Sequence, residues 1–372
     1  MRMNNINFYI LFCSALLTCG LLFSQDNPQY AAYAYSSNSN HKCSCGCSCR
    51  ADCNCGCEQS GQCNCSNQCD DENCCCGVWG GVEYLEPSPC APHAFYENID
   101  MRNAHCHGSI GVWLPEDPPL FRPFVADPRQ VTYSAGWRFN DQVLVKNVID
   151  VSFADTFPIY RFINVWPWCG DLEFDLEGGV WAVFDPLHDS SPLMNADYYV
   201  GIPITYAIDC WQFRLRGYHI SCHIGDEFLL NHPHFHRRNP SAEFLDFFVS
   251  HDFTNEIRLY SGVGVVVAQD ESFRTGRWYA ETGLEIRMPR FGFYSCMQRL
   301  YGEPFYGMHL RFHPEFKRHV DMTYVLGYEF GKTCGLCRKL RIFMEYHDGY
   351  SAEGQFEKFP TNYFAVRASY GF

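Results

Sequence analysis

From about residue 130 to the end, the chain alternates apolar and polar residues with a period of two. Between Val131 and Phe139, residues Tyr133, Ala135, Trp137 and Phe139 share one face; Thr132, Ser134, Gly136 and Arg138 share the other. Trp278, Ala280, Thr282, Leu284 and Ile286 alternate with Tyr279, Glu281, Gly283, Glu285 and Arg287. Ile342, Met344 and Tyr346 alternate with Arg341, Phe343, Glu345 and His347. Successive side chains of a strand point to opposite faces, so each segment has one greasy and one polar side. About 12 such segments are legible, near 130–139, 149–163, 171–184, 198–208, 211–221, 243–252, 256–267, 277–288, 304–312, 320–330, 340–347 and 361–372. No 3.6-residue stripe of helical length interrupts them, and many are near the ~9–11 residues a tilted strand needs to cross a bilayer.

A soluble sandwich or lipocalin-like barrel shows the same alternation. Here, however, charges recur on the minor face, as Glu281, Glu285 and Arg287 do together. A soluble barrel would have to bury them, whereas a wet or salt-bridged lumen holds them. The last strand sets Phe364, Val366, Ala368, Tyr370 and Phe372 against Tyr363, Ala365, Arg367, Ser369 and Gly371. This ending resembles the insertion signal of bacterial outer-membrane barrels. The resemblance implies that Phe364, Tyr370 and Phe372 present a free edge to the barrel-assembly machinery. The expectation is an all-β protein: a transmembrane antiparallel β-barrel of about 12 strands over residues 129–372, in contact with outer-membrane lipid.

The N-terminal third is different. Arg2 and the apolar run Phe8–Phe23, followed by polar residues, predict a signal peptide over residues 1–24. Thr18 before Cys19 argues against a lipoprotein cut at that cysteine. Residues 25–42 are polar and lack periodicity, as a flexible arm does. Residues 43–76 hold 13 of the 23 cysteines: Cys43, Cys45, Cys47, Cys49, Cys53, Cys55, Cys57, Cys63, Cys65, Cys69, Cys74, Cys75 and Cys76. Their neighbours cannot build an apolar core, so sulfur chemistry supplies what order the segment has. C-x-C thiolates can share soft metals, but export to an oxidising compartment favours disulfides. An odd number of cysteines leaves at least one to pair outside the segment. The segment resembles those of cysteine-rich envelope proteins of obligate intracellular bacteria, which implies such proteins as disulfide partners. Residues 77–128 are Pro-rich and read as a linker or plug, with Gly111–Leu114 able to pair locally.

Composition adds 47% hydrophobic and 17% aromatic residues, in keeping with a lipid-facing surface belted by Tyr and Trp. A net charge of −14 argues against nucleic acid as a partner.

Residues 108–372 resemble an uncharacterised family of bacterial exported proteins. The resemblance rests on Leu120–Pro123 running into Ala126–Arg129, then Tyr218–Ser221, Gly225–Phe228 and Arg237–Ser241. It implies an outer-membrane location and no particular chemistry. Within it, His219-x-Ser221 at a strand end resembles the catalytic pair of outer-membrane phospholipase A, itself a 12-stranded barrel. The likeness implies His219 as base, Ser221 as nucleophile and Asn231 or Asn239 as orienting partner. Cys222 and His223 follow where that family has Asn-Gly.

His232, His234 and His236 alternate on a polar loop and are candidate ligands for a transition metal, although no cofactor is otherwise indicated. Arg237 and Arg238 beside them could meet phosphate groups. Cys334-x-x-Cys337, between two strands, reads as a local or partner disulfide in an exported protein. The functional expectation is a structural or porin-like outer-membrane protein, tied to the envelope by its cysteine-rich arm. A lipid-acting hydrolase and a metal- or solute-binding protein are the alternatives.

Overall fold

A computed structural model describes residues 110–372 apart from 116, 296–299, 317–319 and 333–336. The signal peptide, the flexible arm, the cysteine-rich segment and Cys334 lie outside the described residues. The strands are β1 (Ile110–Trp113), β2 (Tyr133–Phe139), β3 (Asn147–Val165), β4 (Gly170–Phe184), β5 (Leu193–Ile208), β6 (Trp211–Ile224), β7 (Ala242–Asp252), β8 (Ile257–Gln269), β9 (Trp278–Arg287), β10 (Phe293–Ser295), β11 (Leu300–Phe312), β12 (Val320–Lys332), β13 (Lys339–Tyr350) and β14 (Pro360–Gly371). A short helix, α1 (Asp226–Asn231), follows β6.

Twelve of the strands close on themselves in the order β3-β2-β14-β13-β12-β11-β9-β8-β7-β6-β5-β4, and β4 pairs back onto β3. Every ladder is antiparallel, as sequential hairpins require. The closing ladder joins β14 to β2 from Tyr370↔Tyr133 to Phe364↔Phe139. Beyond the short β2, β1 extends the edge of β3, with Ile110 opposite Ile163. β10 in the same way extends β9 along β11. β1 falls on the stretch Gly111–Leu114 expected to pair locally, whereas β10 escaped the sequence pattern because three residues carry no measurable period. The twelve predicted segments correspond one for one to the barrel strands, although β5 starts earlier, at Leu193.

The faces are inverted relative to a soluble protein. Along β13, Leu340, Ile342, Met344 and Tyr346 are each about half exposed, whereas Arg341, Phe343, Glu345 and His347 are 2–3% exposed. Along β14, Phe364, Val366 and Tyr370 face out; Tyr363, Ala365 and Arg367 face in. Closure satisfies the ladder hydrogen bonds without an edge, the condition for strands to stand in hydrocarbon. Trp166, Trp168, Trp211 and Tyr370 stay exposed at the end bearing the C-terminus and the tight turns after β3 and β5. That is where an interfacial aromatic girdle belongs. Longer connections, including 225–241 and 351–359, lie at the opposite end.

Candidate functional site

The inward faces carry arginines and carboxylates on neighbouring strands, and the register pairs them. Arg161 on β3 meets Glu173 on β4, Nε to Oε2 2.6 Å. Arg216 on β6 reaches Asp246 on β7 at 2.6 Å and Glu177 on β4 at 3.3 Å. Arg367 on β14 bridges Asp150 and Glu345 at 2.9 and 3.0 Å. Glu329 on β12 receives Arg287, Lys339 and Arg341 at 2.9–3.1 Å. Charges withdrawn from water persist only when paired this way.

Residues 117–130 run through the middle of this lattice. Leu120 N–H donates to Glu173 at 2.7 Å and Val125 N–H to Glu285 at 2.9 Å. The Arg258 guanidinium donates to the carbonyls of Arg122 and Pro123 at 2.9 and 3.3 Å. Arg129 pairs with Asp197 on β5 and donates to the Ala352 carbonyl. Apolar contacts interleave with these. Phe121 and Phe124 cluster with Phe248 of β7 and Tyr260 of β8, and Phe124 stacks on Tyr260 with ring centroids 3.7 Å apart. Val125 and Ala126 pack against Phe305, Val325 and Phe343 of β11, β12 and β13. The segment thus touches inward residues on opposite sides of the barrel. Prolines at 118, 119, 123 and 128 deny it a ladder of its own, so the wall's side chains satisfy its backbone.

A cavity of about 140 Å³ remains beside the segment, lined among others by Asp127, Arg129, Glu281, His309, Arg311 and Glu357. Glu357 lies in the 351–359 connection, where burial pushes its carboxyl up to about 7 against the opposing pull of Arg311 and Lys358. In the same connection burial would raise Glu353, but Arg138 and Arg129 hold it down at about 2.

The residues singled out from sequence lie elsewhere. His219 and Ser221 occupy alternate positions of β6 on the side opposite inward Cys222, so they share the outward face. His219 Nδ1 lies 3.1 Å from Glu243 Oε1, its register partner on β7. Among the described hydrogen bonds none joins His219 to Ser221. Asn239 is engaged with Asp270 through its side chain at 2.9 Å and with Ser272 through its backbone, and no described hydrogen bond joins it to His219. Glu243 was missed because only the strand register brings it across from His219.

His232 caps the end of α1, its ring stacked on Phe228 at 4.2 Å. His234 and His236 are exposed, and the three do not form a three-ligand group among the described residues. Cys337, two residues before β13, has a positive φ of 53°. Cys169 and Cys210, in the turns before β4 and β6, are each disulfide-bonded. Phe372 ends the chain with its ring under the Arg338 guanidinium at 4.3 Å and its carbonyl accepting from Arg341 at 3.1 Å.

A closed antiparallel barrel that is apolar outside and ionic inside defines an outer-membrane-type β-barrel. The chain belongs to the family described as a protein of unknown function (DUF1207), which matches residues 90–372. Among solved structures it is similar to outer membrane phospholipase A from Escherichia coli, with 10% identity, 64% of this chain and 91% of that chain covered, and a TM-score of 0.43. It is also similar to LpxR from Salmonella typhimurium, with 10% identity, 65% and 100% covered, and a TM-score of 0.34. The NanC porin follows at 11% identity, 64% and 98% covered, and a TM-score of 0.32. These likenesses concern the fold alone. No curated protein matches the chain.

Proposed function

We propose that this protein is a closed structural barrel of the bacterial outer membrane that anchors its N-terminal arm to the envelope. The observation that carries this reading is the run of residues 117–130 held inside the barrel by side chains of β4, β5, β8 and β9. A porin needs a continuous wet path, and this segment stands across it. In the same reading the cysteines of residues 43–76 sit in the periplasm and form disulfides with other cysteine-rich envelope proteins. The full chain, reconstituted in planar bilayers, is expected to insert without conductance steps. Envelope extracts run without reductant are expected to give ladders that collapse on reduction. Stable steps from the intact protein would replace this reading with a porin.

A second reading, lipid hydrolysis at the outward face, is favoured by the His219–Glu243 contact at 3.1 Å. A carboxylate in that place orients an imidazole as a general base, and Ser221 lies two residues along on the same lipid-facing side. Release of fatty acid from phospholipid vesicles by the wild type, abolished in Ser221→Ala, would establish it. No release above a heat-denatured control would remove it.

A further inference from the structure

Asp127, Glu281 and His309 come from three remote parts of the chain: the lumen segment, β9 and β11. One ligand-capable atom of each lies within 4.8 Å of the other two. The geometry points to a binding site for a divalent metal ion here, one that clips the lumen segment to the barrel wall. Two atoms on one ion, each about 2.1 Å from it, stand roughly 3–4 Å apart. The site therefore has to contract by about an ångström, within the reach of two carboxylate side chains.

His309 carries the argument. It is 3% exposed, and its Nδ1 lies 2.9 Å from the Tyr260 hydroxyl. An oxygen partner on one ring nitrogen is the usual way to orient an imidazole and leave the other nitrogen for a metal. The other nitrogen, Nε2, faces the cavity and lies 3.7 Å from Glu281 Oε2, too far to hydrogen-bond. Glu281 is held by its other oxygen, Oε1, to Arg311 at 3.1 Å, which leaves Oε2 toward His309. Asp127 is similarly held by one oxygen, Oδ1, which accepts from Arg129 N–H at 2.8 Å.

The surroundings support the same assignment. Gly283 stands opposite His309 in the β9–β11 ladder, and a Cβ there would fall 2.2 Å from the Tyr260 hydroxyl. Glycine at this position is what lets Tyr260 reach the imidazole. The adjoining cavity of about 140 Å³ leaves room for water to complete the coordination. Two carboxylates and one imidazole are an oxygen-rich set with one nitrogen, suited to manganese and like-sized divalent ions. The charges agree, since the carboxylates lining the cavity outnumber its three arginines, Arg129, Arg216 and Arg311.

The test uses the full chain folded in detergent, stripped with chelator and titrated with Mn²⁺ alone, free ion being read by electron paramagnetic resonance. Mn²⁺ is the probe because thiolates such as those of residues 43–76 prefer softer metals. One saturable ion per chain is expected. Loss of an outer-shell partner alone weakens metal binding about 10–100-fold, so Asp127→Asn and His309→Ala should each weaken it at least that much. His234→Ala, on the exposed loop, should leave it unchanged. Heat-modifiable migration on gels reports whether each variant is folded. Should either ligand variant fail to fold, Glu281→Asp, which keeps the charge beside Arg311 but withdraws the oxygen, should still weaken binding. The absence of saturable Mn²⁺ binding to the folded wild type would overturn the proposal, as would affinity that survives these substitutions.

Discussion

Glu329 has no exposed surface and answers three cations at once, Arg287, Lys339 and Arg341. Replacing it with glutamine preserves shape but strands those charges in a site withdrawn from water. Breaking a buried pair in this way costs about 3–5 kcal/mol. Glu329→Gln should therefore lower the urea midpoint of the folded band in detergent, whereas the same change at exposed Glu271 should not. Arginines and carboxylates on the minor face were legible as a lumen from their alternation alone. Their partners were not, because pairing depends on register, which the alternation leaves open. Glu243 opposite His219, and Glu281 beside His309, became visible only once neighbouring strands were aligned.

At the scale of the element, β13 shows what the period of two settles and what it does not. It fixes which residues face out, and Ile342, near the middle of the outward apolar run Leu340–Tyr346, is 51% exposed. An arginine at the bilayer midplane of a barrel costs about 2–4 kcal/mol. Ile342→Arg should lose that much in folding equilibrium with lipid vesicles, whereas substitutions in the 225–241 connection should lose little. An Ile342→Arg variant that folds as well as wild type would mean this face does not meet lipid. The lumen segment was harder to read. Its prolines announced irregular backbone at residues 117–130 but not where it runs, since its hydrogen bonds go to side chains far along the chain. The helix α1 was missed for a simpler reason: six residues with none buried leave no apolar stripe.

For the whole molecule, twelve segments with a greasy side and a charged side admit few arrangements once a bilayer is the surrounding medium. Closure with the charges inward is the one that leaves neither edge nor exposed charge in hydrocarbon. The number of strands and the inverted faces followed from that argument. The contacts that fill the lumen did not, because they depend on a stretch without periodicity, which read equally as a linker or a plug.

The lumen segment is continuous with the wall at both ends, through β1 paired on β3 and through β2, which makes the closing ladder with β14. A chain tethered at both ends cannot be threaded into a finished cylinder. It enters as a loop, and once seated it ties β4, β5, β8 and β9 to one another from within, as a peg driven between staves does.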